Sequence, residues 1–140
     1  MTYTFDSFNY FVRLQKGERF SDVFTQFAKE TECEGAWVNG IGGVQEVELG
    51  FYNLETKEYQ WKKFDGLREM ASMQGNFAFG GDGKLMFHLH GAFGDENYQT
   101  VSGHVKDFVA GATVELFVHR SYQPLKRKHD DETGLKVLDV

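Results

Sequence analysis

The chain of 140 residues has one proline, one cysteine and no apolar run of the ~20 residues that a membrane-spanning helix requires. The single cysteine, Cys33, excludes an internal disulfide, which is ordinary in a reducing compartment. We expect Cys33 to pack as a small buried side chain near a helix end, without a catalytic role. The N-terminal residues lack the basic and apolar segments of a signal peptide. These absences predict a cytoplasmic protein that does not enter the membrane.

An excess of basic charge is also lacking. Acidic residues outnumber lysine and arginine by 21 to 15, and the formal net charge is −6 at pH 7. Because neutralisation of phosphates supplies most non-specific affinity for DNA, this charge weighs against a standalone nucleic-acid binder. The one dense basic run, at 126–129, is followed directly by three acidic residues. We interpret that run as a solvated tail.

Aromatic residues and scattered glycines are abundant, which favours strands and tight turns. The segment 18–31 is predicted to be an amphipathic helix, because apolar residues recur on one face at helical spacing: Phe20, Phe24, Phe27 and Ala28. The strand candidates are 10–14, 36–39, 44–52, 59–64, 69–79, 84–93, 100–105 and 112–120. The sequence therefore predicts an α+β fold, with a mainly antiparallel β-sheet packed by one main amphipathic helix.

Two further segments carry structural predictions. The glycine-rich segment 39–43 precedes an alternating, strand-like pattern at 44–49, whereas phosphate-binding glycine loops precede a helix. We therefore expect a bulged or sharply bent strand, where two backbones approach closely. In the tail, the apolar segment 135–140 is expected to pair with an edge of the sheet.

Three of the five histidines lie within one short stretch of the chain. His88 and His90 are two positions apart on one strand, so their side chains point to the same face. Pairing His90 opposite His104 in an antiparallel hairpin centres the turn on Asn97, within the turn-favouring segment 94–98. In that register, the Cβ atoms of His90 and His104 lie ~5 Å apart, and His88 is diagonally within reach.

Three imidazoles on one sheet face suit a divalent transition metal. Zinc is the first choice, with a fourth position left for water or another ligand, and nickel or iron would accept the same donors. The alternative is that His88 and His90 are half-exposed strand residues and that His104 caps a turn. His119 and His129 lack partners of this kind, and we interpret them as ordinary surface or edge residues.

The same metal could also be catalytic. A three-histidine zinc with an open position can convert bound water to hydroxide, and Glu69 and Glu115 are the strand carboxylates that would assist. The spacing of Glu69 and Glu115 along the chain does not determine whether either of them lies at the site. The sequence shows no nucleophile motif and no lid-like loop, so binding without catalysis is the first interpretation.

An ordered set of short segments resembles the plants and prokaryotes conserved (PPC) domain. The segments are Arg13-Leu14, Gly17-Glu18, the helix, Gly40-Ile41-Gly42, 69–76, His88-Leu89-His90, Gly103-His104 and 112–115. The resemblance covers about residues 8–120, and the segment 127–138 is similar to bacterial members. It implies one PPC-like domain over residues 1–140, with a core at about 8–120 and a C-terminal tail at 121–140.

The resemblance also implies a homotrimer and, in some members, a metal held by the histidines that match His88, His90 and His104. Plant members carry AT-hooks and act as nuclear DNA-binding regulators, whereas bacterial members are mostly single-domain proteins without an assigned reaction. This chain has no Arg-Gly-Arg-Pro AT-hook core, so DNA binding does not transfer by itself. Ser102 stands where the family usually has the first of two glycines.

Together with the homotrimer that the resemblance implies, these patterns predict a cytoplasmic protein that serves as a regulatory or assembly module with a three-histidine, zinc-like site. A metal-dependent hydrolase that uses metal-bound water is one alternative. A DNA-binding transcriptional regulator is another, although the net charge and the missing AT-hook make direct DNA binding doubtful. A protein partner is the alternative to DNA.

Overall fold

The computed structural model describes residues 1–140 as nine β-strands and one α-helix. In chain order the elements are β1 (Thr2–Phe5), β2 (Asn9–Leu14), α1 (Phe20–Thr31), β3 (Gly35–Asn53), β4 (Glu58–Phe64), β5 (Arg68–Phe79), β6 (Leu85–Gly94), β7 (Thr100–Arg120), β8 (Arg127–His129) and β9 (Lys136–Leu138). The main sheet has seven strands in the order β1-β2-β7-β6-β5-β3-β4, all paired antiparallel. The predicted α+β architecture is confirmed.

The long strand β7 pairs with three other strands of the sheet and closes it. Its N-terminal part pairs with β6, its C-terminal part pairs with β2, and both parts pair with β3. Because β3 also pairs with β5, and β5 with β6, these four strands form a closed circuit of hydrogen-bonded pairings. Their buried side chains point into one core, and the alternate side chains are left on an outer face.

The helix covers the core as its pattern predicts. Phe20, Phe24, Phe27 and Ala28 are all buried, and the ring of Phe20 stacks on that of Phe108 with centroids 4.9 Å apart. Each fully buried aromatic side chain contributes ~1.5–3 kcal/mol of transfer free energy. Cys33 follows the helix and is fully buried, as expected.

The prediction of separate strands at 36–39 and 44–52 was wrong, because β3 runs through both segments without a turn. The predicted bulge is present, since the register of β3 against β5 shifts between Gly40 and Gly42. Gly42 has φ +144°, and an added Cβ would lie 2.7 Å from the Cα of Val114. In the same way, 100–105 and 112–120 are one strand, β7.

The two ends of the chain differ from the sequence predictions. The tail segment 135–140 does not join the main sheet, because β9 pairs with β8 in a separate two-stranded sheet. At the other end, β1 pairs with β2 and adds an edge strand that the pattern did not indicate. No helix of the protein combines the length and the apolarity needed to cross a membrane.

Candidate metal centre

The three histidines of the 88–104 stretch converge on the outer face of the sheet. His90 lies directly opposite His104, so the register that the turn chemistry predicted is confirmed. One ligand nitrogen from each of His88, His90 and His104 lies within 4.8 Å of the other two. The ring centroids are 5.2 Å, 5.6 Å and 5.7 Å apart. A single ion placed among the three rings would therefore have imidazole nitrogen on three sides.

The strands hold the histidines in place from the core side. Leu89 and Val105 are essentially buried, which turns the neighbouring His88, His90 and His104 outward. On the partner strand β5, Gly75 lies opposite Leu89 and has φ +150°. An added Cβ at Gly75 would overlap the carbonyl oxygen of His88, so no other residue fits without separating β5 from β6.

The protonation states suit metal binding. Burial lowers the pKa of His104 to about 4, and electrostatic repulsion from the neighbouring side chains of His88, His90 and Arg127 adds to the effect of burial. His88 is exposed at the surface, and partial desolvation of its ring, together with His90 and Arg127, lowers its pKa as well. Both rings are therefore neutral at pH 7, which is the form that binds metal ions.

One atom of the cluster also lacks a partner. The Nδ1 atom of His104 is buried without a hydrogen bond, and such groups normally find one. The donor set consists of three imidazoles, which is a set that zinc and other borderline cations accept. The residues present therefore fit a transition-metal ion.

The lowered pKa of His104 predicts a pH dependence for the metal-free protein. The unfolded chain protonates His104 near its ordinary value of 6.5 and the folded chain only near 4, so the unfolded state takes up more protons between these values. Stability is retained above pH 6.5 and falls by about 1–2 kcal/mol as the pH drops toward 4, with solvent screening allowed for. Urea unfolding with a chelator at pH 7 and pH 4.5 measures this fall. An equal fall in His104→Gln would assign the effect to other groups.

A cavity of about 530 Å³ opens beside His88 and His104. The rings of Tyr59 and Trp61, from β4, stack with centroids 4.7 Å apart and form one wall. The Tyr59 ring lies 4.8 Å from that of His104. No local pattern in the sequence indicates that these aromatic residues belong to the site, because the pairing of β4 with β3 brings them there.

The burial of Arg127 differs from the sequence prediction. The run 126–129 was interpreted as a solvated tail, and Lys126, Lys128 and His129 are indeed exposed. Arg127 is only 7% exposed, and it donates hydrogen bonds to the side-chain oxygen of Asn76 and to the carbonyl oxygen of Lys136. The physical reason is strand alternation, since β8 turns alternate side chains to opposite faces.

The two candidate carboxylates line other cavities. Glu69, on β5, pairs with Gly94 and borders a cavity at the 94–98 turn. Glu115, on β7, pairs with Arg13 and borders a cavity on the β2 side of the sheet. Neither of them lines the histidine cavity, and no Asp or Glu does.

Fold and histidine cluster together define a small antiparallel α+β protein with a candidate transition-metal centre on its outer face. A family model of the Plants and Prokaryotes Conserved (PCC) domain matches residues 2–121. The chain therefore belongs to this family, which is the PPC family of the sequence resemblance. None of the curated proteins compared with the chain matches it.

Solved structures share the fold over nearly the whole chain. A protein from Bacteroides thetaiotaomicron is 25% identical with a TM-score of 0.91, covering 99% of this chain and 96% of its own. One from Ralstonia eutropha is 28% identical with a TM-score of 0.89, covering 99% and 95%. Both are described as a "putative DNA-binding protein". A protein from Archaeoglobus fulgidus described as metal-containing is 25% identical with a TM-score of 0.85, covering 100% and 99%.

Proposed function

We propose that this protein is a standalone, homotrimeric PPC-domain protein that binds one transition-metal ion per protomer and serves as a cytoplasmic regulatory or assembly module. The observation that carries the metal proposal is the convergence of three ligand nitrogens from His88, His90 and His104 within 4.8 Å. The neutral state of His88 and His104 at pH 7 supports it. A structural neighbour described as metal-containing adds support.

Zinc is the ion that we propose. Three imidazoles form a borderline donor set, which suits zinc and leaves a fourth position for water or another ligand. When bound by His88, His90 and His104, the ion would supply a Lewis-acid centre. The chain's own contribution is to hold the three rings in register on β6 and β7 and to keep His88 and His104 unprotonated.

We propose that residues 1–140 act as one domain, with a core at about 8–120 and a tail at 121–140. The tail is hydrogen-bonded to the core at several points. The amide of Phe79 donates to the carbonyl oxygen of Leu125, and the amide of Leu125 donates to that of Glu34. Arg127 adds its bond to Asn76. These contacts support one folding unit.

An exposed apolar patch supports the homotrimer. Phe11 and Phe117 lie opposite each other on β2 and β7, with ring centroids 5.4 Å apart, and Phe11 is 50% exposed. Trp37 and Ile41, on the neighbouring strand β3, are 46% and 57% exposed on the same face. The exposed Asn39 and Glu115 lie among these apolar side chains. Groups of exposed apolar side chains on one face commonly mark interfaces. We infer that this patch is buried between protomers.

Sedimentation combined with metal analysis tests the proposal. We expect purified protein to sediment as three protomers of 16.0 kDa each, with about one transition-metal ion per protomer. The double variant Phe11→Asp/Ile41→Asp should shift the protein to monomer, because two charges cannot be buried unpaired in an apolar interface. Leu54→Asp, at an exposed position in the β3–β4 turn, is the matched control and should remain trimeric. A monomeric wild-type protein would contradict the trimer.

A metal-dependent hydrolase stands second. Hydrolysis by metal-bound water usually needs a nearby carboxylate as base or orienting group, and the histidine cavity has none. Glu69 and Glu115 would have to act from other cavities or across a protomer boundary. Because the cavity has no carboxylate, a binding module is favoured over a hydrolase.

A DNA-binding regulator is the third possibility, consistent with the description of two structural neighbours. The net charge of −6 works against it. Burial of Arg127 also removes the central cation of the dense basic run at 126–129 from contact with a DNA phosphate. Direct DNA binding is therefore not the proposal that this surface supports best.

A further inference from the structure

The cavity beside the histidines contains a buried positive charge without a negative partner. Arg127 is 7% exposed and lines the cavity. Its guanidinium bonds are made to the neutral oxygens of Asn76 and Lys136, and its Nε atom has no partner. No Asp or Glu is within salt-bridge distance of Arg127. A buried charge is costly unless an opposite charge compensates it.

The remaining polar groups of the cavity carry either a positive charge or no charge. Lys57 and Lys136 lie at its border, and His88 and His104 form the metal side. The Nζ atom of Lys57 bonds only to a backbone carbonyl, that of Asp131. With a divalent ion at the histidines, the positive charge of this region would increase further. Such a field favours an anion in the cavity.

The shape and chemistry of the walls favour an anion that also has a flat apolar part. Tyr59 and Trp61 present stacked rings, and Leu135, Val137 and Leu138 of the tail contribute aliphatic side chains. The volume of about 530 Å³ lies within the ~300–1,000 Å³ that small-molecule pockets commonly have. A free inorganic ion would leave these apolar walls unused.

We propose that the cavity binds a small organic carboxylate, with its carboxylate group near Arg127 and its flat apolar body against Tyr59 and Trp61. This inference deepens the proposed function, since it names the ligand class of the metal-bearing site. Carboxylate is favoured over phosphate because two nitrogens of the Arg127 guanidinium already have protein partners. The N–H groups left free on the guanidinium therefore suit the two oxygens of a carboxylate better than the three free oxygens of a phosphate monoester.

Calorimetric titration with benzoate tests the proposal on the full-length protein. Benzoate is flat and carries one carboxylate, and neutral benzamide has nearly the same shape. We expect benzoate to bind at least about tenfold more tightly than benzamide, because a hydrogen bond between two charged groups is stronger than one to a neutral amide. Equal affinities would overturn the assignment of an anion, and tighter binding of phenyl phosphate would overturn that of a carboxylate.

Variants assign the binding to this cavity. Arg127→Gln should weaken benzoate at least about tenfold, whereas the neighbouring exposed Lys128→Gln, which removes the same charge outside the cavity, should leave it unchanged. Because Arg127 also holds the tail, Trp61→Leu provides a second test at a 42% exposed position and should weaken benzoate severalfold. Unchanged affinity in both Arg127→Gln and Trp61→Leu would overturn the proposal.

Metal analysis of the same samples separates this inference from the proposed metal function. Benzoate binding in a protein that takes up no metal would contradict the metal proposal and leave the carboxylate site standing. Metal uptake without benzoate binding would contradict the carboxylate site alone. The ratio of metal to protomer and the benzoate dissociation constant are therefore measured on each preparation.

Discussion

Replacing His90 with alanine is expected to weaken zinc binding at least about 100-fold, because even changes to groups that only orient metal ligands cost 10–100-fold. Two imidazoles would remain, those of His88 and His104, and two ligands leave a zinc ion half coordinated. His90 is exposed on β6, so the fold should survive the substitution. Metal analysis after dialysis and competition with a chelator measure the loss.

His129→Ala is the matched control for this experiment. His129 is exposed on β8, and its ring lies 3.3 Å from Asp131 and outside the histidine cluster. The control should keep the full metal content of the wild-type protein. Zinc should also raise the melting temperature of the control but not that of His90→Ala, because a ligand stabilises only the folded state that binds it. Unchanged metal content in His90→Ala would contradict the three-histidine site.

Replacing Gly75 with alanine is expected to lower the free energy of unfolding by at least about 3 kcal/mol. Losses of this size come from a few specific causes, and steric overlap with strain at an unusual φ is one of them. Gly75 has φ +150°, and an added Cβ would overlap the His88 carbonyl oxygen and lie 2.9 Å from the Cα of Leu89. The chain can avoid this overlap only by moving β6 away from β5 or by changing the backbone of residue 75. Urea unfolding measures the change.

The same substitution should also weaken zinc binding, since the displaced segment carries His88. Gly81→Ala is the control, because Gly81 lies in the β5–β6 turn with open space around its Cα. We expect its free energy of unfolding to stay within ~0.5 kcal/mol of the wild type. Equal stability of the two variants would show that the close approach at Gly75 is not what holds β5 and β6 in register.

The histidine register was predictable because each of its determinants is local. Alternation along a strand placed His88 and His90 on one face, and the turn residues at 94–98 set the pairing of His90 with His104. The structure has that pairing. The helix was predictable for a similar reason, since its buried stripe repeats within twelve residues of chain.

Arg127 and the aromatic wall were not predictable from local patterns. A run of charges is ordinarily solvated, and the inward position of Arg127 depends on β8 pairing with β9 and on Asn76 of a distant strand. Tyr59 and Trp61 reach the site because β4 pairs with β3, and β3 in turn pairs with β7 at His104. Nothing in the spacing of these residues indicates that they meet.

The sequence by itself therefore determined the fold class, the helix and the pairing of His90 with His104, because strand alternation, helical periodicity and turn chemistry act over short distances along the chain. Tertiary structure alone decided the unbroken course of β3 and β7, the separate tail sheet and the burial of Arg127 beside the histidines. Those features depend on which distant segments pack together. Contacts between residues far apart in the chain determine which packing has the lowest free energy.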